Sequence, residues 1–109
     1  MELSTLELSK QSLRYAVEMC EAHPNYQAMV IVKTQPDVEW AYEIITDYLD
    51  MTQYVIGSDH KIIRWKNGSH IKLVLADNTA RHERVRLVLL AASLDEKERK
   101  RINRCARQN

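Results

Sequence analysis

At 109 residues, 45% of them hydrophobic, the chain has the size and composition of one soluble domain, which we expect to span residues 1–109. The longest uninterrupted apolar run, residues 87–92, is far shorter than the roughly 20 residues that cross a bilayer, and residues 1–10 lack the segments of a signal peptide, so we expect a cytoplasmic protein without membrane contact. Sixteen basic and fifteen acidic residues leave a net charge of +1, which excludes a uniformly acidic or basic protein.

The first half of the chain alternates helix and strand signals. Ser4 and Glu7 have the spacing of a capping box, and the apolar residues after them recur at helical intervals, which predicts a helix over about 5–22. The apolar, β-branched run at 27–33 predicts an inner strand of a covered sheet. A second amphipathic pattern, opened by a proline and two acidic residues, predicts a helix over about 36–51.

The second half opens with a hairpin signal. Residues 61–75, KIIRWKNGSHIKLVL, place Asn67 and Gly68 between two β-rich arms, and this dipeptide tolerates positive φ at both central positions of a tight turn. We expect a polar turn or one short helical turn to begin at 77–79. The segment 84–92, RVRLVLLAA, then predicts a last, central strand.

The chain ends in a basic segment. Ser93 and Glu96 repeat the capping-box spacing, and residues 94–109 are helix-prone. The apolar stripe of this helix is thin, consisting of Leu94, Ile102 and Cys105, so we expect the helix to dock weakly or to fray at its end.

In chain order the predicted elements are α-β-α-β-β-β-α. Alternation at the start and helices at both ends predict an α/β fold, in which a small mixed sheet of about four strands with a central β-hairpin is flanked by three helices. An α+β fold is the alternative.

Two cysteines and four histidines give no metal-binding spacing, and we expect neither a metal nor another cofactor. Cys20 and Cys105 are expected to be reduced, partly buried thiols, with a disulfide between them as the alternative.

Two catalytic arrangements can be drawn from the sequence. Ser69 and His70 with Asp59 could form a nucleophile, base and orienting acid, and Cys20 near His23 could form an activated thiol pair. Nothing in the spacing requires either arrangement, and structural roles explain these residues better. We therefore expect no enzymatic activity.

Three segments in this order, MVIVKTQ (29–35), IIRWKNGSHIKLVLA (62–76) and RVRLVLL (84–90), resemble part of the P-loop motor domain of phage terminase large subunits and helicases. The resemblance implies an α/β fold and a phage or mobile-element origin. The motor's chemistry is not implied, because a phosphate loop needs glycines and a Lys-Ser/Thr pair.

The departures from that family lie at its nucleotide site. Residues 8–12, LSKQS, stand where the phosphate loop would end, but they contain no glycine, and no predicted strand precedes them. Four residues separate Leu90, the end of the matching segment 84–90, from Asp95 and Glu96, which are better explained as residues of the first helical turn. We expect a degenerate P-loop without nucleotide hydrolysis.

Charge is divided unevenly along the chain. Residues 1–50 carry nine acidic and three basic side chains, whereas residues 51–109 carry six acidic and thirteen basic ones. Such a division is typical of polyanion-binding proteins and of chains that pair through opposite charges, although each half can also simply solvate its own surface. A homodimer joined through its acidic and basic halves is therefore one expectation.

The basic C-terminal helix and the hairpin are the candidate nucleic-acid surface, with Trp65 as a stacking platform. The alternative is a solubilising terminal helix with Trp65 in the core. The predicted binding residues are Arg64, Trp65, Lys66, Lys72, Lys97, Arg99, Lys100, Arg101, Arg104 and Arg107.

These patterns predict a non-catalytic accessory protein that binds the nucleic-acid backbone electrostatically. The alternative is a protein-binding inhibitor or adaptor of a host or viral complex, which would use the exposed edge of the hairpin or the acidic helix 36–51. The predicted partner-binding residues of that helix are Asp37, Glu39, Glu43 and Asp47.

Overall fold

The computed structural model describes residues 3–49, 54–56, 62–76 and 85–107, and within these ranges it leaves out the side chains of 54–56 and 103–107. The elements in chain order are β1 (Ser4–Glu7), α1 (Lys10–Ala22), β2 (Gln27–Val32), α2 (Gln35–Tyr48), β3 (Tyr54–Ile56), β4 (Ile62–Trp65), β5 (His70–Leu75), β6 (Leu87–Leu90) and α3 (Glu96–Arg107). The predictions at Asp59 and at 77–79 lie outside the described residues.

The strands form one mixed sheet in the order β1-β6-β2-β5-β4-β3. Strands β1, β6, β2 and β5 are parallel to one another. Strand β4 is antiparallel to both of its neighbours, β5 and β3. The predicted α/β fold with a mixed sheet, a hairpin and three helices is therefore confirmed. The sheet has six strands rather than about four, because β1 and β3 were not predicted. Both 27–33 and 84–92 contain inner strands, as expected.

Strand β1 replaces the start of the predicted first helix. The backbone N–H of Ser4 donates to the carbonyl of Arg86 at 2.8 Å, and that of Leu8 donates to Leu90 at 2.7 Å. This pairing with β6 holds residues 4–7 extended despite their capping-box spacing. A sequence window cannot reveal a partner strand that lies some eighty residues away.

Both predicted capping boxes occur at other residues. At the start of α1, Ser9 Oγ accepts a hydrogen bond from the N–H of Ser12 at 3.0 Å, and the N–H of Ser9 donates to Ser12 Oγ at 2.8 Å. At the start of α3, Asp95 Oδ1 accepts from the N–H of Glu98 at 2.7 Å, and Glu98 Oε1 accepts from the N–H of Asp95 at 3.1 Å. These reciprocal bonds satisfy donors that a helix end otherwise leaves unpaired.

The two faces of the sheet have different surroundings. Helices α1 and α2 contact each other and also contact β2 and β5. They cover the face that carries Ile71 and Leu73, because these side chains are buried while Lys72 between them is exposed. We call this side the helical face and the opposite side the outer face. Inner strands β2 and β6 are buried on both faces.

The hairpin turn is longer than predicted. The N–H of Trp65 donates to the carbonyl of Ser69 at 2.8 Å, and the N–H of Gly68 donates to the carbonyl of Trp65 at 3.1 Å. Of the Asn67-Gly68 pair only Gly68 has positive φ, at 91°. The turn is therefore a three-residue loop with glycine at its left-handed position rather than a two-residue loop.

The open hairpin edge that was considered for partner binding is also not present. Strand β4 pairs with β3, and β5 pairs with β2, so both sides of the hairpin are hydrogen-bonded within the sheet. Backbone pairing with a partner at this place would require displacing a neighbouring strand.

Candidate nucleic-acid interface

Three side chains from the hairpin lie together on the outer face. Arg64 of β4 is directly opposite His70 of β5, and Lys72 follows His70 two residues later on the same side of the strand. Arg64 and Lys72 are exposed, and His70 is half-buried. We call Arg64, His70 and Lys72 the basic hairpin face.

Arg64 and Lys72 supply the positive charge of this face. Residues 62–76 contain no acidic side chain. Among the described residues, the four ion pairs involve neither Arg64 nor Lys72. Burial and then the positive charges of Lys72 and Arg64 lower the pKa of His70. The face therefore presents positive charge that no described acid neutralises, and Lys66 is exposed in the adjoining turn.

Trp65 does not belong to this surface, which corrects its predicted stacking role. Strand alternation turns Trp65 to the helical face, where its side chain is only 5% exposed and belongs to the core. A buried indole cannot stack on a base without leaving the core. The alternative prediction, Trp65 in the core, is confirmed. The indole Nε1 is buried there and has no hydrogen-bond partner among the described residues.

Helix α3 lies at the carboxyl ends of the parallel strands, and Arg99 fixes it there. Arg99 Nε donates to the carbonyl of Leu94 at 3.1 Å, and Nη2 donates to the carbonyl of Ala91, just beyond β6, at 2.9 Å. The same Nη2 lies 3.4 Å from Glu7 Oε1 at the end of β1. Arg99, predicted to bind nucleic acid, thus has three partners within the fold.

Further contacts extend along this edge of the sheet. Arg101 Nη2 donates to the carbonyl of Ala76, just beyond β5, and Lys33, just beyond β2, pairs with Glu98 at 3.4 Å. Leu94 and Ile102 are buried, so these two members of the predicted thin stripe do pack into the core. The expected fraying concerns residues whose side chains are not described.

The remaining bases of α3 are placed differently. Lys97 and Lys100 are exposed, and Lys100 forms a solvent-exposed pair with Glu96 at 3.7 Å. The side chains of Arg104 and Arg107 lie outside the described set. The structure therefore separates the predicted basic residues into a free group on the hairpin, an exposed pair on α3 and a group engaged in the fold.

Helix α2 presents a second surface, which combines acids with aromatic rings. Glu39, Glu43 and Asp47 are exposed at i, i+4 and i+8, and Trp40 and Tyr48 border them with 38% and 37% exposure. We call these five residues the acidic aromatic face. The sequence prediction named the acids but missed the two rings, although their own i, i+8 spacing was readable.

The fourth predicted acid has a local role. Asp37 accepts a hydrogen bond from Thr34 Oγ1 at 2.8 Å in the first turn of α2. Its carboxylate also lies near the positive end of the helix, where negative charge is stabilising.

The residues considered for catalysis have structural partners. Ser69 is buried. Its Oγ donates a hydrogen bond to the carbonyl of His23 at 2.7 Å and accepts one from the N–H of Tyr26 at 2.9 Å. Cys20 is a buried free thiol, and burial, with a smaller contribution from Glu21, raises its pKa to about 12. The thiolate needed for nucleophilic attack is therefore disfavoured near neutral pH.

Residues 8–12, where the resemblance to a motor domain would place the end of a phosphate loop, lie at the junction of β1 and α1. Strand β1 does precede residues 8–12, contrary to the sequence prediction, so strand, turn and helix follow one another as in a P-loop. Only Leu8 and Ser9 connect β1 to α1. The reciprocal bonds between Ser9 and Ser12 occupy the helix start, where a phosphate loop would need free backbone N–H groups.

Comparison with known protein families, characterised proteins and solved structures finds no match to this chain. Within the described ranges, no helix combines the length and apolar character required to cross a membrane. Over the same part of the chain, no group of three or more His, Cys, Asp or Glu side chains is arranged to hold a metal ion.

Proposed function

We propose that the protein is a non-catalytic, cytoplasmic accessory protein that binds the nucleic-acid backbone through the basic hairpin face. The observation that carries this proposal is the arrangement of Arg64, His70 and Lys72 on one face of a paired hairpin without a described acidic neighbour. Two rigid strands hold these side chains, so less conformational entropy is lost on binding than from a mobile tail.

The chemistry of the face favours phosphate contacts over base readout. Arg64 and Lys72 can each donate to phosphate oxygens, which fixes position but carries no sequence information. Trp65 is buried on the other face and supplies no stacking surface. We therefore propose salt-sensitive binding with little preference for sequence, in which log K falls with log salt with a slope of about 0.9 for each phosphate neutralised.

A titration of labelled duplex and single-stranded DNA at low and at physiological salt tests the proposal. Lys72→Glu should weaken binding strongly, and Lys10→Glu is the matched control, because both lysines are exposed and both substitutions change the net charge equally. Absence of binding at low salt, or equal weakening by the two substitutions, would sink the proposal.

The exposed bases of α3 form a second arm of the same experiment. Lys97→Ala combined with Lys100→Ala removes two exposed charges and leaves the bonds of Arg99 and Arg101 intact. If α3 extends the binding surface, this variant loses affinity and its salt slope decreases. If α3 serves only the fold, its binding equals that of the unmodified protein.

The phage or mobile-element origin rests on the resemblance of residues 29–35, 62–76 and 84–90 to terminase-type motors. The strand, turn and helix formed by β1 and α1 add a further point of likeness. Genes for DNA packaging beside the coding sequence would support this origin, and a neighbourhood without phage or mobile-element genes would contradict it.

Protein binding through helix α2 is the second candidate function. It is favoured by Trp40 and Tyr48, because large aromatic side chains are unusual on a surface and are enriched where proteins bind one another. Trp40→Ala should reduce binding of a protein partner to α2 without unfolding the protein. Glu21→Ala, on the exposed side of α1, should leave that binding unchanged.

A further inference from the structure

Two surfaces of opposite charge lie on opposite sides of the sheet. The basic hairpin face belongs to the outer face, whereas α2 packs on the helical face and directs its exposed acids away from the sheet. Helix α2 contains no basic residue, and the hairpin contains no acidic one. The uneven division of charge along the sequence is thus also a division in space.

The acidic aromatic face has features that suit a guanidinium or ammonium partner. Within the molecule, the guanidinium carbon of Arg14 lies 5.9 Å from the centre of the Tyr48 ring, which shows that this surface accepts a cation over an aromatic ring. Trp40 is exposed beside Glu39 and Glu43 and takes part in no ring contact among the described residues. A cation arriving there would meet both a ring and a carboxylate.

We propose that the protein associates with itself head to tail, with the basic hairpin face of one copy docked on the acidic aromatic face of the next. The second copy is the occupant that the charges indicate, since Arg64 and Lys72 complement the acids of α2 and the exposed Trp40 ring beside them. The net charge of +1 offers little long-range repulsion between copies.

The geometry distinguishes this association from a closed dimer. The two surfaces are different and lie on opposite sides, so each contact is heterologous and leaves one surface of each kind free at the ends. Unless the rotation between copies closes a ring, assemblies grow with concentration.

The inference rests on the same hairpin residues as the proposed function, and it adds a regulatory consequence. Nucleic acid and a neighbouring copy would compete for Arg64 and Lys72. A polyanion should therefore disperse the assemblies, and self-association should weaken nucleic-acid binding at high protein concentration.

Sedimentation velocity of the full chain over a range of concentrations, at low and high salt, tests the association. We expect the average sedimentation coefficient to rise with concentration at low salt and to return to the monomer value at high salt. Trp40→Ala should reduce the association without changing the net charge. Glu21→Lys reverses an exposed acid on α1, away from α2, and should leave the association in place.

A charge exchange provides the sharper test. An acidic-face variant, Glu43→Lys with Asp47→Lys, and a basic-face variant, Arg64→Glu with Lys72→Glu, should each remain monomeric alone. Mixing the two should restore association, because the intact basic hairpin face of one variant meets the intact acidic aromatic face of the other, and the two altered surfaces are also complementary in charge. A monomer at every concentration in low salt, or a mixture that stays monomeric, would overturn the inference.

The two proposals fail separately. The acidic-face variant keeps the basic hairpin face, so it should bind DNA at least as tightly as the unmodified protein although it no longer self-associates. Self-association without DNA binding would remove only the proposed function, and DNA binding without restored association in the mixture would remove only this inference.

Discussion

The side-chain amide of Asn67 donates a hydrogen bond to the carbonyl oxygen of Cys20 at 2.7 Å. Cys20 lies in the last turn of α1, where carbonyl groups have no partner within the helix. The same amide nitrogen lies 3.3 Å from the carbonyl of His23, and Asn67 Oδ1 accepts from the N–H of Ser69 at 2.9 Å. The hairpin turn therefore caps the end of α1 and fixes the strands that carry the basic hairpin face.

Removal of the Asn67 amide should loosen this connection. We expect Asn67→Ala to lower the free energy of unfolding by about 1–3 kcal/mol, because at least two backbone groups lose their partner in a partly buried place. Urea denaturation measures the change. Lys66→Ala, in the exposed adjoining position, should stay within about 0.5 kcal/mol. Equal effects of the two substitutions would contradict the capping role.

A side chain at Gly68 should be costly for a different reason. The φ of 91° disfavours L-residues, and an added Cβ would meet Oδ1 of Asn25. We expect Gly68→Ala to destabilise the fold by about 1–2 kcal/mol. Asn25 itself has a φ of 58°, so the effect of Asn25→Gly alone must be subtracted in a double-mutant cycle. The amide of Asn25 can rotate away, so in that cycle Asn25→Gly should recover only the smaller part of the loss. Full recovery in thermal or urea unfolding would show that the clash, rather than the backbone, carries the cost.

Arg99 should contribute to stability more than to binding. Arg99→Ala removes charge-assisted bonds to two backbone carbonyls, and we expect a loss of about 1–3 kcal/mol in the free energy of unfolding. Arg99→Lys should keep only part of this unfolding free energy, because an ammonium group cannot reproduce the forked geometry of a guanidinium group. Lys97→Ala serves as the exposed control in the same helix. An unchanged unfolding midpoint for Arg99→Ala would show that α3 docks without this side chain.

The pH dependence of stability should reveal the environment of His70. Because its pKa in the folded state is lowered, the unfolded chain takes up a proton first as the pH falls through the ordinary histidine value of about 6.5. The contribution of neutral His70 to the free energy of unfolding is fully present above that pH and is lost as the pH falls below it. His70→Gln should therefore flatten the decline in stability between roughly pH 7 and 5. The two proteins should keep a constant difference in unfolding free energy above pH 7, and parallel curves below it would contradict the prediction.

Much of the framework was readable from local patterns. The inner strands β2 and β6, helix α2 and the hairpin arms each lie within a continuous apolar, alternating or helical pattern whose periodicity reports the surrounding core. The exposure of the acids of α2 and of the bases of the hairpin could also be predicted, because charged side chains remain at the surface.

Other features depend on partners that are distant in the chain, and only the tertiary structure decides them. Residues 4–7 form a strand because β6 offers hydrogen bonds to them, although their own sequence favours a helix start. Arg99 belongs to the fold because the C-terminal ends of strands β1 and β6 lie side by side and both supply it with partners. Trp65 belongs to the core because the register of β4 against β5 turns it to the helical face. The sequence by itself determined the local periodicities and the amount of charge in each half, whereas pairing between distant strands determined which charges remain free to bind.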